Sequence, residues 1–338
     1  MGVFDGESVL GIASFFVGIN EGVDDALIDA CEVADERLLV KKMPAGENAE
    51  GGHLNMCNYI FSETLEAFLR SAIRRMKSGF GAVLLLDGDP GGGKSSFAEA
   101  LAKELDCRCQ KYDGCPDKER NLLYELDVQG VLTRENAWMP GPAWLAFEET
   151  NQGKYSVLLI DEVDKTSTGF DSFLLRLLED FTFRGPGGDV SADPRRLAVV
   201  ITTNNGRSLR REVLRRCQRI HVPLPTGDRL KAIIRSIASE NAEEGEGRGS
   251  VIPDGLLSLT IRIASAIRED DRENAPSPKE LAFLCLDLLG LKEDPACGNK
   301  EVWREIAASW LVKEGGPTLI DRVMPYDWAK ALRTEVMK

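Results

Sequence analysis

Gly88-Asp-Pro-Gly-Gly-Gly93-Lys94-Ser95 fits the spacing G-x-x-x-x-G-K-[ST], the pattern of a loop that wraps phosphate groups. Glycines let successive backbone N–H groups face one anion, and a helix that follows adds the positive end of its dipole. The contacts expected from this run are Gly88, Pro90, Gly91, Gly92, Gly93, Lys94, Ser95 and Ser96. Lys94 would reach the β- and γ-phosphates, and the Ser95 hydroxyl would ligate Mg2+. The plainer alternative is a glycine-rich turn joining a strand to a helix. The apolar run before the loop and the helical pattern after it favour phosphate binding.

A pair of carboxylates, Asp161-Glu162, closes the apolar run 156–160 (SVLLI). Such a run reads as a strand of a parallel sheet, and its end places Asp161 at the edge where ligands of open α/β sheets bind. Asp161 suits the metal, directly or through water, and Glu162 can take the proton of an attacking water. Asn204, or Asn205 beside it, ends a third apolar run, 197–203 (LAVVITT). An amide there could orient water between Glu162 and a γ-phosphate, whereas Asn-Asn-Gly could equally form a plain turn. The chain has only His53 and His221 as histidines, so its chemistry rests on carboxylates, Lys, Arg and a metal.

The elements that must position these groups follow from periodicity. Ser62 caps a helix carrying Leu65, Phe68, Leu69, Ala72, Ile73 and Met76 at helical spacing, ended by Gly79. A buried strand over 82–86 leads into the loop, a helix follows over 96–105, and another amphipathic helix spans 170–180. Strands alternating with helices imply a parallel α/β sheet with right-handed crossovers. After Pro223-Leu-Pro225 the pattern turns wholly helical, over 228–239, 256–267 and 278–289, with a polar connection at 243–249 (EEGEGRG). One or two more helices are expected beyond residue 298. Before the first strand, a helix over 23–39 and a loop over 43–52 are expected.

The 338 residues are 43% apolar and 29% charged, with a net charge of -13, which argues against a broad nucleic-acid footprint. The apolar segment 8–19 is too short to span a bilayer and has no Lys or Arg before it, so the expectation is a cytoplasmic protein with no membrane partner. Eight scattered cysteines suggest reduced thiols, and Cys107, Cys109 and Cys115 lack the spacing of a zinc site.

In order, strand–GDPGGGKS–helix, VLLIDEVDK, VVITTNN, an Arg-rich segment ending in Leu214-Arg215-Arg216-Cys217, and a helical lid resemble an AAA+ ATPase over residues 58–290. ITTNNGRSLRREVLRRCQRIHVPLP is most similar to the MoxR branch. The resemblance implies an α/β P-loop NTPase (AAA+) core, a parallel sheet with helices on both faces, plus a small all-α lid domain. The implied division is an N-terminal extension over 1–57, the nucleotide-binding domain over 58–225, the lid over 226–295 and a helical extension over 296–338. It implies ATP and Mg2+ as cofactors and a homo-oligomeric ring, usually hexameric, with ATP between neighbours. Arg215 or Arg216 would then act in trans as an arginine finger, Arg216 being favoured. Six arginines lie between Arg207 and Arg219, suiting a subunit interface better than a solvated face or DNA contact.

Lys279, in Ser277-Pro278-Lys279, stands where the family usually has a sensor Arg, and could instead be only a helix-start residue. Asp89 replaces a residue that is commonly neutral. Tyr59 and Ile60 fall where adenine contacts are often found, and 181–188 where members insert a hairpin. The segment 138–144, with Trp138 and Trp144, suits a ring-face insertion whose aromatics either grip a polypeptide or pack beneath it. The implied function is remodelling or activation of a protein partner, often one with a von Willebrand factor A domain, or metal insertion into it. A DNA-associated motor or loader and a nucleotide-dependent scaffold are the alternatives.

Overall fold

The computed structural model describes residues 59–116, 118–126, 138–243, 252–270, 275–314, 316–324 and 326–338. The expected extension over 1–57, with its segments 8–19, 23–39 and 43–52, lies outside the described residues, as does 244–249 of the polar connection.

Helix α1 (Glu63–Lys77) starts as expected at Ser62, whose side chain accepts the Leu65 N–H at 3.3 Å. Acidic residues in its first turn and basic ones in its last complement the helix dipole, and Leu65, Leu69, Ala72 and Met76 form its buried stripe. Strand β1 (Ala82–Asp87) is buried throughout and feeds the phosphate loop, which passes into α2 (Lys94–Glu104). Strand β2 (Arg108–Asp113) follows, then a short antiparallel pair, β3 (Tyr124–Leu126) with β4 (Trp138–Pro140). Next come α3 (Pro142–Asn151), β5 (Ser156–Asp161) and α4 (Thr168–Glu179). The expected hairpin is present as β6 (Thr182–Gly185) and β7 (Gly188–Ser191), ahead of β8 (Leu197–Thr203). Helix α5 (Arg211–Leu214) is a single turn, and β9 (Gln218–His221) closes the domain.

Five strands pair in parallel in the order β2-β5-β8-β1-β9. Period-two alternation sends Val83, Leu85, Leu158, Ile160, Val199 and Ile201 to one face, under α3 and α4. Ala82, Leu84, Leu86, Val157, Leu159, Ala198 and Val200 go to the other, under α1 and α2. Both faces are covered, which is why the three central strands read as continuous apolar runs. All three end, with their polar tips, at the same edge.

The rest is helical: α6 (Gly227–Glu243), α7 (Asp254–Asp270), α8 (Pro278–Gly290), α9 (Lys300–Leu311), α10 (Pro317–Val323) and α11 (Trp328–Met337). The last three exceed the one or two helices expected past residue 298. Residues from 230 to 336 share one core, with Trp303 and Trp328 fully buried, so the expected lid and the expected extension pack into a common interior.

Candidate functional site

Three glycines of the loop take left-handed backbone, Gly88 at φ 144°, Gly91 at 78° and Gly93 at 87°. At Gly88 a Cβ would fall 2.3 Å from the Val222 carbonyl, so only glycine admits the close pass of β9's exit. Lys94, 7% exposed, folds back over the loop, and its Nζ donates to Gly88 O at 2.7 Å, Asp89 O at 2.9 Å and Asn204 Oδ1 at 2.7 Å. Burial pushes its pKa down, against the pull of Asp161, Asp164, Asp89 and Glu162.

At the tip of β5, Asp161 divides its two oxygens. One accepts Ser95 Oγ at 2.6 Å and the other accepts the Thr202 hydroxyl. Thr202 Oγ1 in turn accepts the Glu162 N–H at 2.8 Å. A hydroxyl and a carboxylate held side by side are hard oxygen donors, the set that suits Mg2+. Glu162 sits in left-handed backbone at φ 50°, ψ 50°. Its Oε1 accepts Asn204 Nδ2 at 3.2 Å, and its Oε2 pairs with Lys165.

Asn204 is therefore the bridge: its amide oxygen takes Lys94 and its nitrogen gives to Glu162. Asn205, the other candidate, turns away at φ 62°, its N–H bonded to Thr203 Oγ1 at 3.0 Å. A carboxylate not foreseen, Asp164, fixes this strand end by accepting the N–H groups of Asn204 at 3.2 Å and Gly206 at 2.9 Å. Burial raises the Asp164 pKa, but these N–H donors outweigh it and hold the group below its ordinary value. Beneath the loop, Asp87 is bonded to His221 Nδ1 at 2.7 Å and Arg219 at 2.9 Å. Those partners outweigh burial and lower its pKa.

A cleft of about 370 Å³ joins the loop, Asp161, Glu162, Thr202 and Asn204 to Tyr59, Ile60, Arg229, Ile233, Ile237 and Lys279. Tyr59 and Ile60 thus line it, with Arg229 Nε donating to Ile60 O at 3.0 Å. Lys279 lies on the cleft and also starts α8, one residue past Pro278 in a helix capped reciprocally by Ser277 and Glu280. Its ammonium is 5.8 Å from the Phe283 ring centroid. A Cβ on Gly91 would lie 3.0 Å from Ser277 Cβ, so the helical part touches the loop directly.

Arg215 and Arg216 do not line this cleft. Arg216 is engaged within its own chain, with Glu179 at 2.5 Å and the Glu212 carbonyl at 2.7 Å. Arg215 is exposed. The arginine cluster is thus divided, for Arg207 turns inward to Asp171 at 2.7 Å while Arg219 stays exposed and pairs with Asp87. Trp138 stacks edge-on against Tyr124 with 37% of its surface exposed, whereas Trp144 packs inward between Tyr124 and Phe183. Cys107 and Cys109 are free, and burial pushes both thiols up to about 12. Among the described residues no group of three or more His, Cys, Asp or Glu could hold a metal. No described helix is long and apolar enough to cross a membrane.

Residues 84–224 match the AAA family, the ATPase family associated with various cellular activities. The chain is 32% identical over 155 residues to chaperone protein ClpB 2 of Parasynechococcus marenigrum, covering 41% of this chain and 16% of that protein. It is 29% identical over 192 residues to the Lon protease of Salinispora arenicola, covering 53% and 24%. The chain thus spans less than a quarter of the length of either relative. Among solved structures, NtrX from Brucella abortus aligns at a TM-score of 0.49 and 14% identity, covering 86% of this chain and 58% of that one. The matched span, 84–224, holds the phosphate-type loop, Asp161, Glu162 and Asn204.

Proposed function

We propose that the chain hydrolyses ATP in a ring of its own copies and couples that hydrolysis to remodelling or activation of a protein partner. The observation that carries this reading is Asn204 spanning Lys94 and Glu162 at one end of the cleft, with Arg215 and Arg216 off the cleft altogether. Lys94 and the backbone of Gly88–Ser96 bind the phosphates. Ser95 and Asp161 would hold Mg2+, which neutralises phosphate charge when bound. Glu162 takes the proton of a water that Asn204 helps align. The water oxygen bonds to the γ-phosphorus as the bond to the β-phosphate oxygen breaks, and ADP is the leaving group. Because neither arginine reaches the cleft of its own chain, the positive charge for the γ-phosphate comes from a neighbour's Arg215 or Arg216. Arg215 is the exposed member, and Arg216 must leave Glu179 to serve.

A hexamer of the MoxR type, acting in the cytoplasm on a protein such as one with a von Willebrand factor A domain, is the finer form of this proposal. Two relatives named as a chaperone and a protease support a protein partner, and the charge of -13 weighs against DNA. The test is Glu162→Gln, which should bind ATP, stay assembled and retain a partner protein from extract only while ATP is present. Retention of nothing but itself would count against a protein partner, and wild-type ATPase activity stimulated by DNA and lost at raised salt would move the reading to a loader or motor on nucleic acid.

A further inference from the structure

Two segments frame the phosphate end of the cleft, 162–167 after β5 and 204–210 after β8. They are about forty residues apart in sequence, and Glu162 sits on one and Asn204 on the other. Their 3.2 Å hydrogen bond therefore depends wholly on how the two segments are held together. Asp164 ties them beside the pair, accepting the N–H groups of Asn204 and Gly206, and Arg207 ties their far ends. Its Nε donates to Thr166 O at 2.9 Å. Its Nη2 lies within reach of Val163 O at 3.3 Å, Thr166 Oγ1 at 3.0 Å, Ser167 O at 3.1 Å and Asp171 Oδ1 at 2.7 Å. Asp171, on the first turn of α4, is 1% exposed. Its second oxygen accepts the Arg210 N–H at 2.7 Å, and Arg210 is the N-cap of α5, whose C-cap is Arg215.

A guanidinium so engaged with its own chain is not placed to grip a phosphate. Nor does either member of the pair line the cleft. Solvent-exposed ion pairs contribute little, but this one is enclosed, with 16% of the Arg207 side chain and 1% of Asp171 exposed. We infer that Arg207, seated on Asp171, is a positioning residue for hydrolysis. It sets the register between Glu162 and Asn204, and the same carboxylate anchors the turn that carries the interface arginines. One carboxylate thus links a subunit's own site to the arginines it offers to its neighbour. The inference rests on the ATPase reading of the cleft.

The test uses the full chain with Arg207→Gln, Arg207→Lys and the double variant Arg207→Met with Asp171→Leu. Steady-state turnover, affinity for a fluorescent ATP analogue and thermal unfolding are measured for each. A displacement of about 1 Å at reacting groups costs roughly 10²-fold in rate, so turnover of Arg207→Gln should fall by about that factor. Nucleotide affinity should hold, because Lys94 and the loop are untouched, and Arg207→Lys should recover part of the loss. The double variant guards against misfolding, since it leaves no uncompensated buried charge. It should unfold near the wild-type temperature yet stay slow. Wild-type turnover in the folded double variant would overturn the inference and leave the pair a stabiliser only. A wild-type chain that binds ATP but never hydrolyses it would instead overturn the ATPase reading beneath it.

Discussion

At the phosphate end of the cleft, Lys94, Ser95, Asp161, Glu162 and Asn204 project from strand tips or from the first turn of a helix capping the sheet, each hydrogen-bonded to another. At the other end, Ile233 and Ile237 of α6 line the cleft with Tyr59 and Ile60, and Arg229 Nε donates to Ile60 O. The first end is supported by strands buried on both faces, a more rigid frame than a loop would give. The second is formed by a helical body that meets the loop through Ser277 and Gly91. On the proposed reading, Glu162 and Asn204 carry turnover, while the second end adds to the affinity that Lys94 and the loop provide.

That division can be broken in four places, taken from the largest effect down. Replacing Arg215 and Arg216 together by Ala should lower ATP turnover by about 10³- to 10⁵-fold while a fluorescent ATP analogue binds as before. Normal turnover in that variant would remove the shared site. Glu162→Gln should cost about 10²- to 10⁴-fold in turnover, again with binding kept. Weakened binding of equal size would place Glu162 in affinity rather than chemistry. Arg229→Ala removes the hydrogen bond to Ile60 O and should weaken ATP affinity by about 1 kcal/mol, roughly fivefold, leaving turnover at saturation unchanged. A larger loss in turnover than in affinity would show that the two ends are not separable.

The smallest effect is on stability. Asp87 holds its proton less tightly when folded than when unfolded, because His221 and Arg219 outweigh burial. Its contribution is therefore present above the ordinary value of 3.8 and fades as pH falls from there through the lower folded value. Asp87→Asn should melt lower than wild type at neutral pH, and the gap should narrow on acidification. A gap that is constant with pH would show that the carboxylate's charge plays no part.

What could be read in the sequence was whatever is local. Gly88–Ser95 and Asp161-Glu162 declare themselves because each is a short run against an apolar strand. The edge strand β2 (RCQKYD) does not, since half of its residues are exposed and it has no apolar run to reveal it. Asp164, Thr202, Arg207 and Asp171 were hidden for another reason: their partners lie 36 to 44 residues away, and no spacing rule reaches that far. Asn204 and Asn205 are adjacent amides in sequence, and the structure separates them by the left-handed turn at Asn205 and the bonds of Asn204 to Lys94 and Glu162. The arginine cluster looked like one surface because composition does not say which side chains turn inward. The common core of the helical region was equally silent, as an amphipathic stripe shows that a helix is buried without naming its partner.

If a working site draws Glu162 from one copy and an arginine from the next, two dead variants should rescue each other. Glu162→Gln and the Arg215→Ala, Arg216→Ala double are mixed after dissociation and reassembly. In mixed rings, some interfaces join an intact Glu162 to an intact arginine pair. ATP hydrolysis should return in the mixture and peak near equal proportions. A mixture as inactive as its parents, although shown to have co-assembled, would rule the shared site out.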